Sequence, residues 1–241
     1  MKKMFAAVAA VAMLGFAAVA TADSGCGAKA EGVAMKDGSC AAACGSAEKT
    51  GLAKGGADKT NTVEGYALGQ KVPSFTLSDA NGKSYSLAET TAAASATVLV
   101  FYNQNCPYVV EVEPRLAEFT KANAEKGVKV LAIDAGADKS VEDIQKHAAE
   151  VPYTILVNQT SEIARNFGAT KTPEVFVLNK EGVVVYTGAF DSGAKGAKEG
   201  NLKTYAADAV NAVLAGQEPE VKQTKAFGCS IKFAKPAATA Y

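Results

Sequence analysis

The chain has no tryptophan and a single histidine, His147, among 241 residues. One imidazole cannot build a His-rich metal centre, so that class of enzyme is excluded. Net charge is missing too: 25 Lys and Arg balance 25 Asp and Glu. Without a positive excess there is no electrostatic case for a nucleic-acid partner, and none is expected. Long apolar runs are scarce. Only Met4 to Ala20 approaches a membrane span, and it is short for one and poor in large aliphatics. Cysteine is sparse and odd in number: Cys26, Cys40, Cys44, Cys106 and Cys229. At least one thiol is therefore unpaired, metal-bound or paired between molecules.

What is present begins with a targeting pattern. Lys2 and Lys3 precede the apolar run, and the small triplets Ala18-Val19-Ala20 and Ala20-Thr21-Ala22 follow. Residues 1–22 are expected to be a signal peptide, with a membrane anchor as the alternative. The mature protein would be exported, periplasmic or secreted, with no stable membrane insertion after cleavage. Export would place all five cysteines where disulfides persist.

Residues 23–65 are rich in Gly, Ala, Lys, Ser and Thr and read as a flexible, cysteine-containing linker. Cys40-Ala41-Ala42-Ala43-Cys44, with Cys26 and Met35, has the sulfur to hold a soft ion such as Cu(I). A local disulfide or idle thiols suit the same residues, and no metal site is assigned.

A folded domain is expected over residues 66–216. Val72–Ser78 and Ser84–Leu87 form a hairpin about the Asn81-Gly82 signal. A small-residue loop leads to the strand Thr97–Tyr102, and a helix from Pro107 to Lys126 follows, apolar at Val109, Val112, Leu116 and Phe119. Then come the strand Val128–Asp134, a helix Ser140–Glu150, a strand Tyr153–Val157 and a helix Ser161–Phe167. After Thr172-Pro173, Glu174–Asn179 and Val183–Gly188 make a hairpin, and a helix spans Leu202–Leu214. Alternating strands and helices imply an α/β fold: a central mixed sheet, helices on both faces and an N-terminal hairpin. Residues 217–241 read as an irregular tail carrying Cys229.

Cys106 is the chemical focus. It ends a strand and begins a helix, where unpaired N–H groups favour a negative charge and a thiol becomes a reactive thiolate. The bland alternative is a small buried residue. His147 is placed on the polar, solvated side of its helix. Glu111 and Glu113 are taken as helix-surface charges. Tyr102 and Tyr108 flank the thiol and either shape a pocket or simply pack.

These residues resemble the thioredoxin-fold redoxins, the peroxiredoxin, alkyl hydroperoxide reductase and thiol-specific-antioxidant group. Val72-Pro73-Ser74-Phe75-Thr76-Leu77 is similar to the opening hairpin, and Asn105-Cys106-Pro107-Tyr108-Val109 to the active-site turn. Phe167-Gly168-Ala169-Thr170 with Thr172-Pro173 resembles the approach to a cis-proline strand, and Phe176–Gly188 the closing hairpin. Gly228-Cys229-Ser230-Ile231-Lys232 matches the ending of one peroxiredoxin-like subgroup.

The resemblance implies a thioredoxin-like fold, Cys106 as catalytic thiol and Cys229 as a possible resolving thiol. It also implies that Thr172, Pro173, Asn103 and Tyr108 bind substrate, and that no cofactor is required. Partners would be protein thiols or disulfides, or a peroxide substrate, together with an unidentified thiol reductant. The chain departs from the pattern in three places. Asn103 and Asn105 stand where a first cysteine and a histidine would fall, and neither Arg115 nor Arg165 precedes the late strand. The expected function is an exported thiol-dependent oxidoreductase with a single active-site cysteine. Alternatives are a non-catalytic thioredoxin-like binding module and a copper-handling protein.

Overall fold

Asp79 closes the first turn by accepting the Asn81 and Lys83 N–H groups on Oδ1, at 2.9 and 3.0 Å. In this computed structural model, which describes residues 65–136, 139–193 and 202–234, Thr76–Ser78 (β1) and Ser84–Ser86 (β2) pair antiparallel around that turn. A helix, Leu87–Ala93 (α1), follows at once, where the sequence suggested only a loop. Ser86 caps it, its hydroxyl accepting the Glu89 N–H. The spacing Ser86-Leu87-Ala88-Glu89 is that of a capping box.

Ala96–Tyr102 (β3) is buried along its whole length, as a central strand covered on both faces must be. Pro107–Ala124 (α2), Val128–Asp134 (β4), Val141–Ala148 (α3), Thr154–Leu156 (β5) and Glu162–Asn166 (α4) follow in order. Lys171–Thr172 (β6), Glu174–Leu178 (β7), Val184–Gly188 (β8), Tyr205–Leu214 (α5) and Cys229–Ser230 (β9) complete the elements.

Five strands form the central sheet in the order β5-β4-β3-β7-β8. β3 runs parallel to β4 and β4 to β5, whereas β7 and β8 are antiparallel additions. Alternation along β3 divides the core into two layers. Val98, Val100 and Tyr102 face α2, α3 and α5, packing on Val112, Leu116, Ile144 and Val210. Leu99 and Phe101 face α1 and α4, packing on Leu87, Ile163 and Phe167. The Phe167 ring is central to that second layer, 4.9 to 5.3 Å from the rings of Tyr66, Phe176 and Phe101.

The described part of the tail, residues 217–234, is irregular as read from the sequence except for the two-residue β9, but backbone bonds tie it to the domain. It runs first along β8, where Thr187 donates its N–H to the Lys222 carbonyl and accepts the Thr224 N–H on its own carbonyl, each at 3.0 Å. Thr224 Oγ1 also accepts the Ala189 N–H at 2.9 Å. It then crosses to pair antiparallel with β6 as β9. Among the described residues no helix is long and apolar enough to cross a membrane. The expected signal peptide, Cys26, Cys40 and Cys44 lie outside the described residues.

Candidate active site

A residue before proline is pushed out of the helical region into an extended conformation. Cys106 obeys, with φ −76° and ψ 121°, and so becomes the N-cap of α2. Pro107 occupies the first turn, where its missing N–H costs nothing. The turn before it is tied by Asn103, whose carbonyl accepts the Cys106 N–H at 2.9 Å and whose side-chain oxygen accepts the Asn105 N–H at 3.0 Å. Asn103 thus shapes the loop that delivers the sulfur.

Three chain segments meet there. Cys106 is 3% exposed, and its Sγ lies 3.1 Å from the Thr172 carbonyl, which accepts from the thiol. The Thr172-Pro173 bond is cis. Thr172 in turn pairs with Cys229 in the β6–β9 ladder. Both cysteines are free thiols in this structure, Cys106 buried and Cys229 half-buried. Tyr108 packs its ring on Phe227, centroids 6.3 Å apart. Glu174 steadies the approach, with Oε2 accepting the Thr170 and Lys171 N–H groups at 2.8 and 3.1 Å.

Gly228 makes the close approach of the tail possible. Its φ is 136°, and a Cβ there would fall 2.1 Å from the Thr172 oxygen. Only glycine permits that backbone contact. In the sequence Gly228 carries only a weak signal, a glycine directly before a lone cysteine.

The two sulfurs titrate as a pair. Burial raises the Cys106 thiol, but hydrogen bonds from the Cys229 thiol, the Thr172 hydroxyl and the N–H groups of Val109 and Cys229 favour its ionised form and hold it below the usual range. Cys229 is pushed up to about 11, by burial first and then by donating to the neighbouring Cys106 sulfur. The opposite shifts make Cys106 the sulfur that ionises first and Cys229 the one that keeps its proton, a nucleophile beside a proton source.

The remaining candidates lie elsewhere. Arg115 pairs with Asp191, Nε to Oδ2 2.7 Å. Arg165 bonds the Thr160 carbonyl at 2.8 Å and lies over the Phe233 ring. A groove of about 890 Å³ lined by Ser95, Lys126, Asn179 and Leu214 sits at the opposite ends of β3 and β4 and contains neither sulfur. Two readings need correction. His147 is not solvated and Glu113 is not a surface charge: their side chains are only 18% and 24% exposed, and their Nε2 and Oε2 atoms lie 2.9 Å apart.

Comparison with known proteins agrees with this geometry. The profile of the AhpC/TSA family matches residues 68–187. The thiol-disulfide oxidoreductase ResA of Bacillus thuringiensis subsp. konkukian (strain 97-27) is 26% identical over 123 residues, 51% of this chain and 69% of that protein. The chloroplastic peroxiredoxin Q of Suaeda salsa is 29% identical over 150 residues, 55% of this chain and 65% of the other. Among solved structures, an uncharacterized conserved protein from Geobacillus kaustophilus superposes with a TM-score of 0.66 at 28% identity, covering 73% of this chain and 96% of that one. A hypothetical protein from Sinorhizobium meliloti 1021 gives 0.65 at 28% identity, covering 70% and 95%. With its mixed five-stranded sheet, N-cap cysteine and cis-proline, the chain belongs, through residues 68–187, to the AhpC/TSA family of thioredoxin-fold redoxins.

Proposed function

We propose that the protein is an exported thiol-dependent oxidoreductase in which Cys106 is the nucleophile and Cys229 the resolving thiol. One observation carries the reading: β9 seats Cys229 opposite Thr172, whose carbonyl lies 3.1 Å from the Cys106 sulfur. In its domain plan, 1–22 is a signal peptide and 23–65 a linker. The redoxin domain spans 66–216, and the tail 217–241 delivers the second thiol.

The chemistry follows from the pair. The Cys106 thiolate attacks one sulfur of a disulfide, forming a mixed disulfide and expelling the other sulfur as a thiolate. With a peroxide it attacks oxygen, forming the sulfenic acid and releasing the alcohol or water. Cys229 then loses its proton and attacks the Cys106 sulfur. The Cys106–Cys229 disulfide forms, and a thiolate or water leaves. Two thiols of an external reductant restore the starting state. The names of the ResA and peroxiredoxin Q relatives support oxidoreductase chemistry of this kind. No organic cofactor enters any step.

The test is a reductant-coupled assay with a peroxide and with a disulfide substrate. Cys106→Ser is expected to lose turnover of both. Cys229→Ser is expected to stall with an adduct on Cys106, visible by mass spectrometry. Wild-type turnover by Cys106→Ser refutes the assignment.

A further inference from the structure

Thr172 and Cys229 stand opposite each other in the β6–β9 ladder, and so do their neighbours Lys171 and Ser230. The half-buried Lys171 side chain crosses that ladder, and its Nζ donates to Ser230 Oγ at 2.9 Å. Its own backbone N–H is fixed by Glu174 Oε2 at 3.1 Å. The ammonium is therefore held against the residue next to Cys229. None of the salt bridges among the described residues involves Lys171, so no carboxylate is paired directly with this charge.

Resolution needs more than proximity. Cys229 has to lose its proton, form the S–S bond to Cys106 and expel a thiolate or, from the sulfenic acid, a hydroxide that takes up that proton and leaves as water. In the reduced pair Cys229 resists ionisation. Burial, its hydrogen bond to the Cys106 sulfur and the Cys106 charge hold the proton, while the Tyr108 N–H and the Lys171 charge work the other way. Once Cys106 has reacted, its sulfur is no longer an anion, and the influences that depend on its charge are gone. The Tyr108 N–H and Lys171 remain. The charged groups about Cys229 are thus Cys106 at the start of α2 and Lys171 on β6, with Glu174 on β7 beside Lys171. Of these only Lys171 is positive.

We propose that Lys171 is a positioning residue for the second step, serving Cys229 rather than Cys106: it clamps β9 through Ser230 and supplies positive charge to the thiolate that attacks. This rests on Cys229 being the resolving thiol. Lys171 bonds to the strand and not to the sulfur, so it acts on Cys229 through its field, across a solvent-exposed contact. At the spacing of neighbouring ladder residues, a unit charge in a water-like medium changes an ionisation constant about two- to threefold. Salt screens an effect of that kind, whereas it leaves a purely mechanical clamp in place.

The experiment has two arms, both on the full-length protein. In the first, Cys106→Ser isolates Cys229, and alkylation of the Cys229 peptide is followed against pH by mass spectrometry. Adding Lys171→Met should raise the Cys229 midpoint and cut its thiolate fraction below that midpoint about two- to threefold. Lys171→Arg should restore it, and about 1 M salt should erase the difference. Ser230→Ala, which removes the clamp and keeps the charge, should leave the midpoint in place. In the second arm, one equivalent of hydrogen peroxide oxidises Cys106, and formation of the Cys106–Cys229 disulfide is timed. Lys171→Met should slow it at least about twofold, and Lys171→Arg should recover it. A Cys229 midpoint unmoved by Lys171→Met overturns the proposal. So does a midpoint moved equally by Lys171→Met and by Lys171→Arg or Ser230→Ala, which would reduce Lys171 to a strand clamp. Wild-type protein that forms no Cys106–Cys229 disulfide removes the resolving role on which the proposal rests, and the first arm tells that failure from the other.

Discussion

Replacing Gly228 by alanine tests whether the tail sets the chemistry of Cys106. The new Cβ would lie 2.1 Å from the Thr172 oxygen and 2.8 Å from its carbonyl carbon, both backbone atoms that no rotamer change can move. A non-glycine residue at φ 136° adds about 1–3 kcal/mol of strain. Against this, β9 is held by the Lys171–Ser230 and Thr172–Cys229 pairings, the Ile231 N–H to Thr170 O bond at 3.0 Å and an exposed Lys171 Nζ to Ser230 Oγ bond at 2.9 Å. At about 1 kcal/mol net per backbone bond these sum to roughly 2–4 kcal/mol. The strain alone is comparable, and the overlap adds to it, so β9 should lift off β6 while the tail stays anchored at Thr224. Of the core only Ile231, at the edge of the second layer, is uncovered, so the melting temperature should fall by several degrees rather than the domain unfold.

Cys106 then loses both hydrogen bonds that Cys229 supplies. Its ionisation midpoint should rise toward that of a free thiol, about 8.5, while its alkylation plateau at high pH rises because the sulfur is uncovered. Oxidation to the Cys106–Cys229 disulfide should slow at least ~10-fold, since contact is replaced by a flexible tether. Alkylation rate against pH, read by mass spectrometry, separates the midpoint from the plateau. A Gly228→Ala protein with the wild-type midpoint and wild-type disulfide rate would refute the role given to the tail.

The thiol pair also makes stability depend on pH. Cys106 is depressed, so between its folded midpoint and about 8.5 the unfolded chain holds more protons and stability rises with pH. Cys229, raised to about 11, does the reverse: the folded state keeps a proton that the unfolded chain releases, and stability falls as pH climbs toward that value. Denaturation of reduced wild type and of the Cys106→Ser/Cys229→Ser protein should differ by a dome peaking near pH 8–9, and a pH-independent difference would contradict the pairing. Asp191→Asn should strip the buried partner from Arg115, whose side chain is 18% exposed against 5% for Asp191. A loss of about 2–3 kcal/mol is expected, below the range for fully buried pairs, which is roughly 4–12 °C in melting temperature for a domain of this size. Cys106 alkylation should be unchanged, and a destabilisation under about 1 kcal/mol would show the pair to be solvent-screened.

Some of this architecture is written locally and some is not. The uninterrupted apolar run of β3 and the Cys106-Pro107 junction depend on neighbours in sequence, and both were legible. α1 was read as a loop: Ser86 and Glu89 spell a capping box, but its Thr- and Ala-rich body has no apolar stripe to draw attention to it. β9 is two residues long and has no period, so its place was invisible; only the tail's cysteine hinted at a destination.

The misreading of Glu113 and His147 has a different cause. Glu113 follows Val109 by four residues and precedes Leu116 by three, which puts it on the inward stripe of α2. His147 follows the buried Ile144 by three, on the inward face of α3. Periodicity therefore placed both inside, and it was their hydrophilicity that suggested water. A polar side chain on a buried stripe has to find partners within the fold. Here the partners are two phenols from other segments, Tyr102 at the end of β3 and Tyr153 ahead of β5. Neither can be inferred from the helices that carry Glu113 and His147, because the meeting is made by the sheet order that sets β3, β4 and β5 side by side. Where period and polarity disagree, the period reports position, and the polar group is met by partners that the fold brings from elsewhere.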